Sequence, residues 1–230
     1  MSAQPGYFGK LPGAGDFVQR RLPPVFVDAW DRAFSHALAG ARDMLGEGWS
    51  QAYHAAPAWR FLLAPGVIGP VAWAGVVLPA SDRVGRCFPM VVAGRLAGGA
   101  AHPGVLDDGG RWFDQVTAVA QAAQADRTID PARFDAAVAA LELPDDPAEP
   151  TVPVLAPSLE RERRRYWLPL QDGLRLPTVL WSHLAPSGRC TLWWQHGSDG
   201  VEPALYVGAG LPDAGEFAGF LHRRIAEVLP

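Results

Sequence analysis

The chain has 230 residues, 49% hydrophobic and 19% charged, with a formal net charge of −4. That balance excludes general disorder, and the absence of a basic footprint argues against wholesale nucleic-acid binding. A chain of this length buries most of its apolar surface without needing disulfides or a metal. Cys87 and Cys190 are the two cysteines, too few for a secreted disulfide framework. Residues 1–9 lack a signal-peptide layout, and no apolar run approaches the roughly 20 residues that span a bilayer. The expectation is a bacterial cytoplasmic protein without membrane insertion. Lys10 is the one lysine among 20 basic residues, which reads as a GC-rich coding bias.

Taken in order, Gly6 to Gly9 is a short strand, followed by a turn-rich loop from Lys10 to Asp16. Pro23 and Pro24 open a helix in which Phe26, Trp30, Phe34, Ala37, Leu38, Ala41 and Leu45 recur at three- and four-residue steps. Glu47 to Tyr53 adds a short helical turn. Trp59, Phe61 and Leu63 alternate as a half-buried strand. Val71 to Leu78 and Cys87 to Ala93 are apolar on both faces, as strands covered by layers on both sides are. Pro89 places an edge or a bulge at the start of the second run.

Trp112, Val116, Val119 and Ala123 share one helical face, and Asp130-Pro131 caps and opens the next helix. Residues 144–157 are rich in proline and acid and read as a surface excursion or subdomain junction in an otherwise single domain spanning 1–230. Thr178 to Leu184 and Thr191 to Trp194 suggest a strand pair joined across Pro186-Ser-Gly188. Trp181, Trp193 and Trp194 read first as core residues; adjacent Trp193 and Trp194 point to opposite faces of a strand, which leaves one of them near the surface as the alternative. Ala204 to Val207 is a last strand, and Asp213 with Glu216 starts a final helix with a capping box. Phe217, Phe220, Leu221, Ile225 and Val228 face inward from it. Interleaved strands and helices give an α/β class: a mixed, mostly antiparallel sheet with helices on both faces.

The chemical motifs are weak. The glycine loop after Lys10 is neither a Walker loop nor a full dinucleotide fingerprint, since position 18 is valine. Asp82-Arg-Val-Gly-Arg86 either clamps an anion or holds its own loop in shape through an Asp–Arg pair. The six histidines and two cysteines share no metal-ligand spacing, although His183 and His196 fall on the proposed tryptophan-rich strand pair. No Gly-x-Ser-x-Gly elbow exists, and Cys87 inside an apolar run reads as an inert thiol. Arg161 to Arg165, beside Tyr166 and Trp167, is a solvated face or an acidic-partner dock. No catalytic residue, cofactor or metal is assigned.

Several segments together nevertheless resemble one family. Gly6-Tyr-Phe-Gly-Lys-Leu-Pro-Gly-Ala-Gly-Asp-Phe-Val18, Arg21-Leu-Pro23, Trp30-Asp31, Trp59-Arg-Phe61, Trp73-Ala-Gly-Val76 and Asp82-Arg-Val-Gly-Arg86 with Phe88-Pro89 look like TagF (ImpM) proteins of bacterial type VI secretion. The resemblance covers about the first 95 residues. One departure lies within it: where the family reads Pro-Ser-Val-Asp, this chain reads Pro79-Ala-Ser-Asp82. The resemblance implies a non-enzymatic posttranslational repressor that binds the forkhead-associated (FHA) scaffold protein of the secretion system. Lys10, Asp16, Arg83 and Arg86 are the residues assigned to partner binding. The alternative from the residues themselves is a binder of, or enzyme on, a phosphorylated small molecule or phosphopeptide through the same loops.

Overall fold

The structure is a computed structural model that describes residues 4–96, 104–106, 110–143, 166–169, 180–181, 184, 189–197 and 201–221. One eight-stranded sheet runs through it. Its strands are β1 (Gly6–Gly9), β2 (Val18–Arg20), β3 (Trp59–Leu63), β4 (Trp73–Leu78), β5 (Met90–Arg95), β6 (Tyr166–Pro169), β7 (Cys190–Gln195) and β8 (Ala204–Ala209). The spatial order is β2-β1-β5-β4-β3-β7-β8-β6, and every pair is antiparallel. The helices are α1 (Pro24–Leu45), α2 (Trp49–Ala55), α3 (Arg111–Ala125), α4 (Pro131–Ala139) and α5 (Ala214–Leu221).

Strand periodicity sorts the apolar side chains into two cores. Phe61, Trp73, Val77, Val91, Trp193 and Tyr206 face α1, α2 and α5, whereas Leu62, Val76, Val92, Leu192, Trp194 and Leu205 face α3 and α4. The α/β/α layering expected from the sequence follows. Trp193 and Trp194 do take opposite faces, but neither reaches the surface, because each face has its own helical layer. Trp193 meets Trp30 and Phe61 on one side, and Trp194 meets Phe113 on the other.

Local chemistry sets the helix ends. Pro24 occupies the first turn of α1, where its missing N–H costs nothing. Phe26, Trp30, Phe34, Ala37 and Ala41 form its buried stripe. Asp130 Oδ1 accepts from Ala132 N at 3.0 Å and caps α4. The capping box of α5 forms: Glu216 N donates to Asp213 Oδ1 at 3.0 Å, and Asp213 N donates to Glu216 Oε2 at 2.7 Å.

Several expectations need correction. Leu180, Trp181 and Leu184 are helical, so the strand expected over 178–184 does not form there, and β7 pairs with β3 and β8 instead. Trp181 is completely buried in the core shared with α3 and α4 in place of joining a strand pair. The strand expected from Cys87 starts only at Met90, because Pro89 has no N–H for the ladder and Cys87 instead bridges Ser81. Three-residue β2 and four-residue β6, the latter next to the Arg161–Arg165 run, are strands absent from the sequence reading. Residues 144–157, Arg161–Arg165, His183, Ile225 and Val228 lie outside the described residues. Among the described residues, no helix is long and apolar enough to cross a membrane.

Trp193 is fully buried against Trp30 and Phe34 of α1. Trp193→Ala should lower unfolding free energy by about 3–5 kcal/mol in urea titration; a loss under about 1 kcal/mol would contradict this packing.

Candidate functional site

With both sheet faces covered, polar chemistry collects at the strand ends. Two loops meet there: residues 10–17 between β1 and β2, and residues 79–89 between β4 and β5.

The first loop is anchored by Leu11, which is fully buried, and turns where Ala14 N donates to Leu11 O at 2.9 Å. Gly13 is required by close approach: a Cβ there would lie 1.9 Å from Ile129 O in the α3–α4 connection. The second loop is an Asx-type turn. Asp82 Oδ1 accepts from Val84 N at 3.0 Å and from Arg86 N at 2.9 Å. Gly85 supplies the positive φ of 84° that this turn needs. At the loop's base, Tyr53 Oη donates to Ala80 O at 2.9 Å and accepts from Ala80 N at 3.1 Å. The family departure at Ala80 therefore falls on a buried residue gripped through its backbone.

Asp82 ties the loops together. Its side chain is completely buried, yet Oδ2 lies 2.7 Å from Arg86 Nε and 3.3 Å from Lys10 Nζ. Burial alone would raise its pKa, but the hydrogen bonds from the Arg86 backbone and side chain, from Lys10 and from Val84 outweigh it and hold the carboxyl at about 2. Backbone bonds complete the knot: Arg83 N donates to Ala14 O at 2.9 Å, and Arg86 Nη2 donates to Gly15 O at 2.6 Å. Lys10 also lies 3.4 Å from Asp16 and 3.9 Å from the centroid of the Phe17 ring. Phe17 packs edge-on against Phe88 and stacks on Phe8.

The structure thus brings Lys10, Asp16, Arg83 and Arg86 into one place, in different roles. Lys10 is 4% exposed and serves as an internal strut. Asp16 points outward, its pKa lowered by the hydrogen bond from Phe17 N and by Lys10. Arg86 is 60% exposed while holding Asp82. Arg83 is exposed at the tip beside Val84, itself 70% exposed.

An open cleft of about 550 Å³ adjoins the tip, lined by His54, Ser81, Asp82, Arg83, Gln124 and Arg127, among others. The sequence reading missed His54, Gln124 and Arg127, which come from α2, α3 and the α3–α4 turn and share no local spacing with the loops. Cys87 Sγ lies 3.9 Å from His54 Nε2 and is half-buried. Burial pushes this thiol's pKa up despite Arg42, so it stays protonated at neutral pH. Burial also pushes Cys190 up to about 12. A second, apolar pocket of only about 20 Å³ lies between Tyr53, Trp59, Pro79, Pro89, Phe217 and Phe220. Among the described residues, no three His, Cys, Asp or Glu side chains are grouped to hold a metal ion. His196 follows β7 at the same strand end, on the far side of β3 from β4, its pKa lowered by burial and by Arg60.

Asp82→Ala should cost about 3 kcal/mol in denaturant unfolding, because Lys10 keeps its buried charge and loses its buried partner. The acid limb offers a second measurement. Folded Asp82 titrates at about 2 and an unfolded aspartate near 3.9, so the unfolded chain takes up the proton first as pH falls. Its contribution is complete above that unfolded value and is lost as pH falls through about 2. Asp82→Asn should flatten this part of the stability–pH curve; an unchanged slope would contradict the assignment.

Both loops lie within the segment that matches a known family. The model of the TagF N-terminal domain, type VI secretion system-associated, matches residues 6–141, more than half of the chain. No curated protein sequence matches the chain significantly. Among solved structures, PA0076 from Pseudomonas aeruginosa PAO1 is similar at 33% identity, with a TM-score of 0.74, over 98% of this chain and 97% of that one. On these grounds the chain belongs to the TagF family of type VI secretion system-associated proteins.

Proposed function

We propose that the protein is a non-enzymatic, cytoplasmic regulatory adaptor that represses type VI secretion after translation by binding the FHA-domain scaffold protein of its system. The observation that carries this reading is the Asp82-centred junction of the two loops, which lies inside the family-matched segment. It pre-forms a surface on which Arg83, Arg86 and Asp16 ring the exposed Val84 and the partly exposed Phe17. Apolar contacts rimmed by arginine are what protein interfaces favour, and a pre-ordered loop loses little entropy on docking. Occupying the scaffold would withhold it from the secretion machinery. A protonated, desolvated Cys87 thiol fits a non-catalytic role better than a nucleophile.

Calorimetric titration against the FHA-domain protein of the same gene cluster tests this directly. The expected result is one-to-one binding at micromolar or tighter affinity, unchanged by phosphatase treatment of the scaffold. Arg83→Glu is the informative variant, since Arg83 makes no side-chain bond or ion pair among the described residues, whereas a glutamate at 86 would face the buried Asp82. It should weaken binding by at least about tenfold while leaving the thermal midpoint unchanged. No detectable heat at several temperatures would overturn the adaptor reading.

A further inference from the structure

The cleft beside the loop tip has a charge distribution that the adaptor reading uses only in part, through Arg83. Its walls come from separate parts of the chain: Ser81 and Arg83 from the β4–β5 loop, His54 from α2, Gln124 from α3 and Arg127 from the α3–α4 turn. The carboxylates nearby are already engaged. Asp82 accepts from two backbone N–H groups with Oδ1 and holds Arg86 and Lys10 with Oδ2. Asp16 accepts from Phe17 N and pairs with Lys10. Asp126, next to Arg127, accepts from Thr128 N and Thr128 Oγ1.

Arg83 and Arg127 are both exposed, and neither side chain has a hydrogen bond or ion pair among the described residues. Two guanidinium groups thus border one cleft with no ion-pair partner among the described residues. Further donors surround them. The Ser81 hydroxyl has no hydrogen-bond partner among the described residues. The Gln124 amide uses one N–H on Lys10 O at 3.2 Å and keeps the other. The His54 ring meets Cys87 Sγ at a long 3.9 Å and the Tyr53 ring edge-on.

We infer that this cleft binds the phosphoryl group of a phosphate monoester. Guanidinium forks match phosphate oxygens in bidentate fashion, and a phosphoryl group offers three terminal acceptors where a carboxylate offers two oxygens. Two forks, a hydroxyl and an amide are more donors than one carboxylate can take up. The walls are held in place beforehand. Arg83 N is fixed by Ala14 O, and the first loop touches the α3–α4 connection at Gly13 and Ile129. At about 550 Å³ the cleft has room for the group that carries the phosphate as well. That group is either a phosphorylated side chain of a protein or a small phosphorylated metabolite. The site shares Arg83 with the proposed scaffold-binding surface, and Arg127, which is not part of that surface, tells the two readings apart.

The test is a titration of the full chain, followed by amide chemical shifts at ionic strength held constant with chloride. The probes are inorganic phosphate, a phosphothreonine peptide, the same peptide with glutamate at that position, and a nucleoside monophosphate. Saturable shifts are expected around Pro12, His54, Ser81 to Gly85 and Gln124 to Thr128. Arg83→Gln and Arg127→Gln should each weaken phosphate binding by at least about tenfold, as loss of a charge-assisted contact does, while Arg20→Gln on β2 should leave it unchanged. Tighter binding of the phosphopeptide than of the nucleotide would support the site with a protein source, and the reverse order would support it with a metabolite. Absence of saturable shifts, equal binding of the glutamate peptide, or full affinity in both arginine variants would overturn it.

Discussion

Burial of the sheet on both faces is the constraint from which the rest follows. The central strands carry apolar side chains at successive positions, so each face needs its own helical layer, and Trp193 and Trp194 can be adjacent and both fully enclosed. Such a sheet leaves no open face for recognition. Charged groups are displaced to the ends of the strands, where the 10–17 and 79–89 loops meet.

At that end the organising group is a carboxylate out of contact with water. Asp82 is stabilised in its charged form by two backbone donors, a guanidinium and an ammonium. Buried ion pairs of this kind add little net stability over apolar packing, because desolvation offsets the attraction. Their value here lies in geometry: each of the two loops must bring its cation to the same carboxylate, which fixes how the loops sit together. The one lysine in the chain suits its place. A compact ammonium fits between Asp16 and Asp82 over the Phe17 ring, where a planar guanidinium would be harder to seat. What remains outward is Arg83, Val84, Asp16 and part of Arg86, a surface shaped from below.

Legibility in the sequence followed the range of the interactions. The Phe26–Trp30–Phe34 stripe, the Asp130 cap and the Asp213–Glu216 box are local, and each is formed as read. The Asp82–Arg86 pair was visible as one of two possibilities for its motif because the residues are four apart. Lys10 joining that pair was not visible, since it arrives from a loop more than 70 residues earlier and no periodicity encodes the meeting. Arg127 and His54 reach the cleft for the same reason. The segment around Trp181 misled because a short apolar run carries no period that separates helix from strand. The family resemblance located the loops that matter without indicating which of their residues face inward.

Hydrogen–deuterium exchange on the protein alone and with its FHA-domain scaffold is the most direct measurement of the central claim, that this loop junction is the recognition surface. Slower exchange confined to residues 10–17 and 79–89 on complex formation is the expected result. Protection confined to the opposite sheet edge, at β6 and β8, with these loops unchanged, would contradict it.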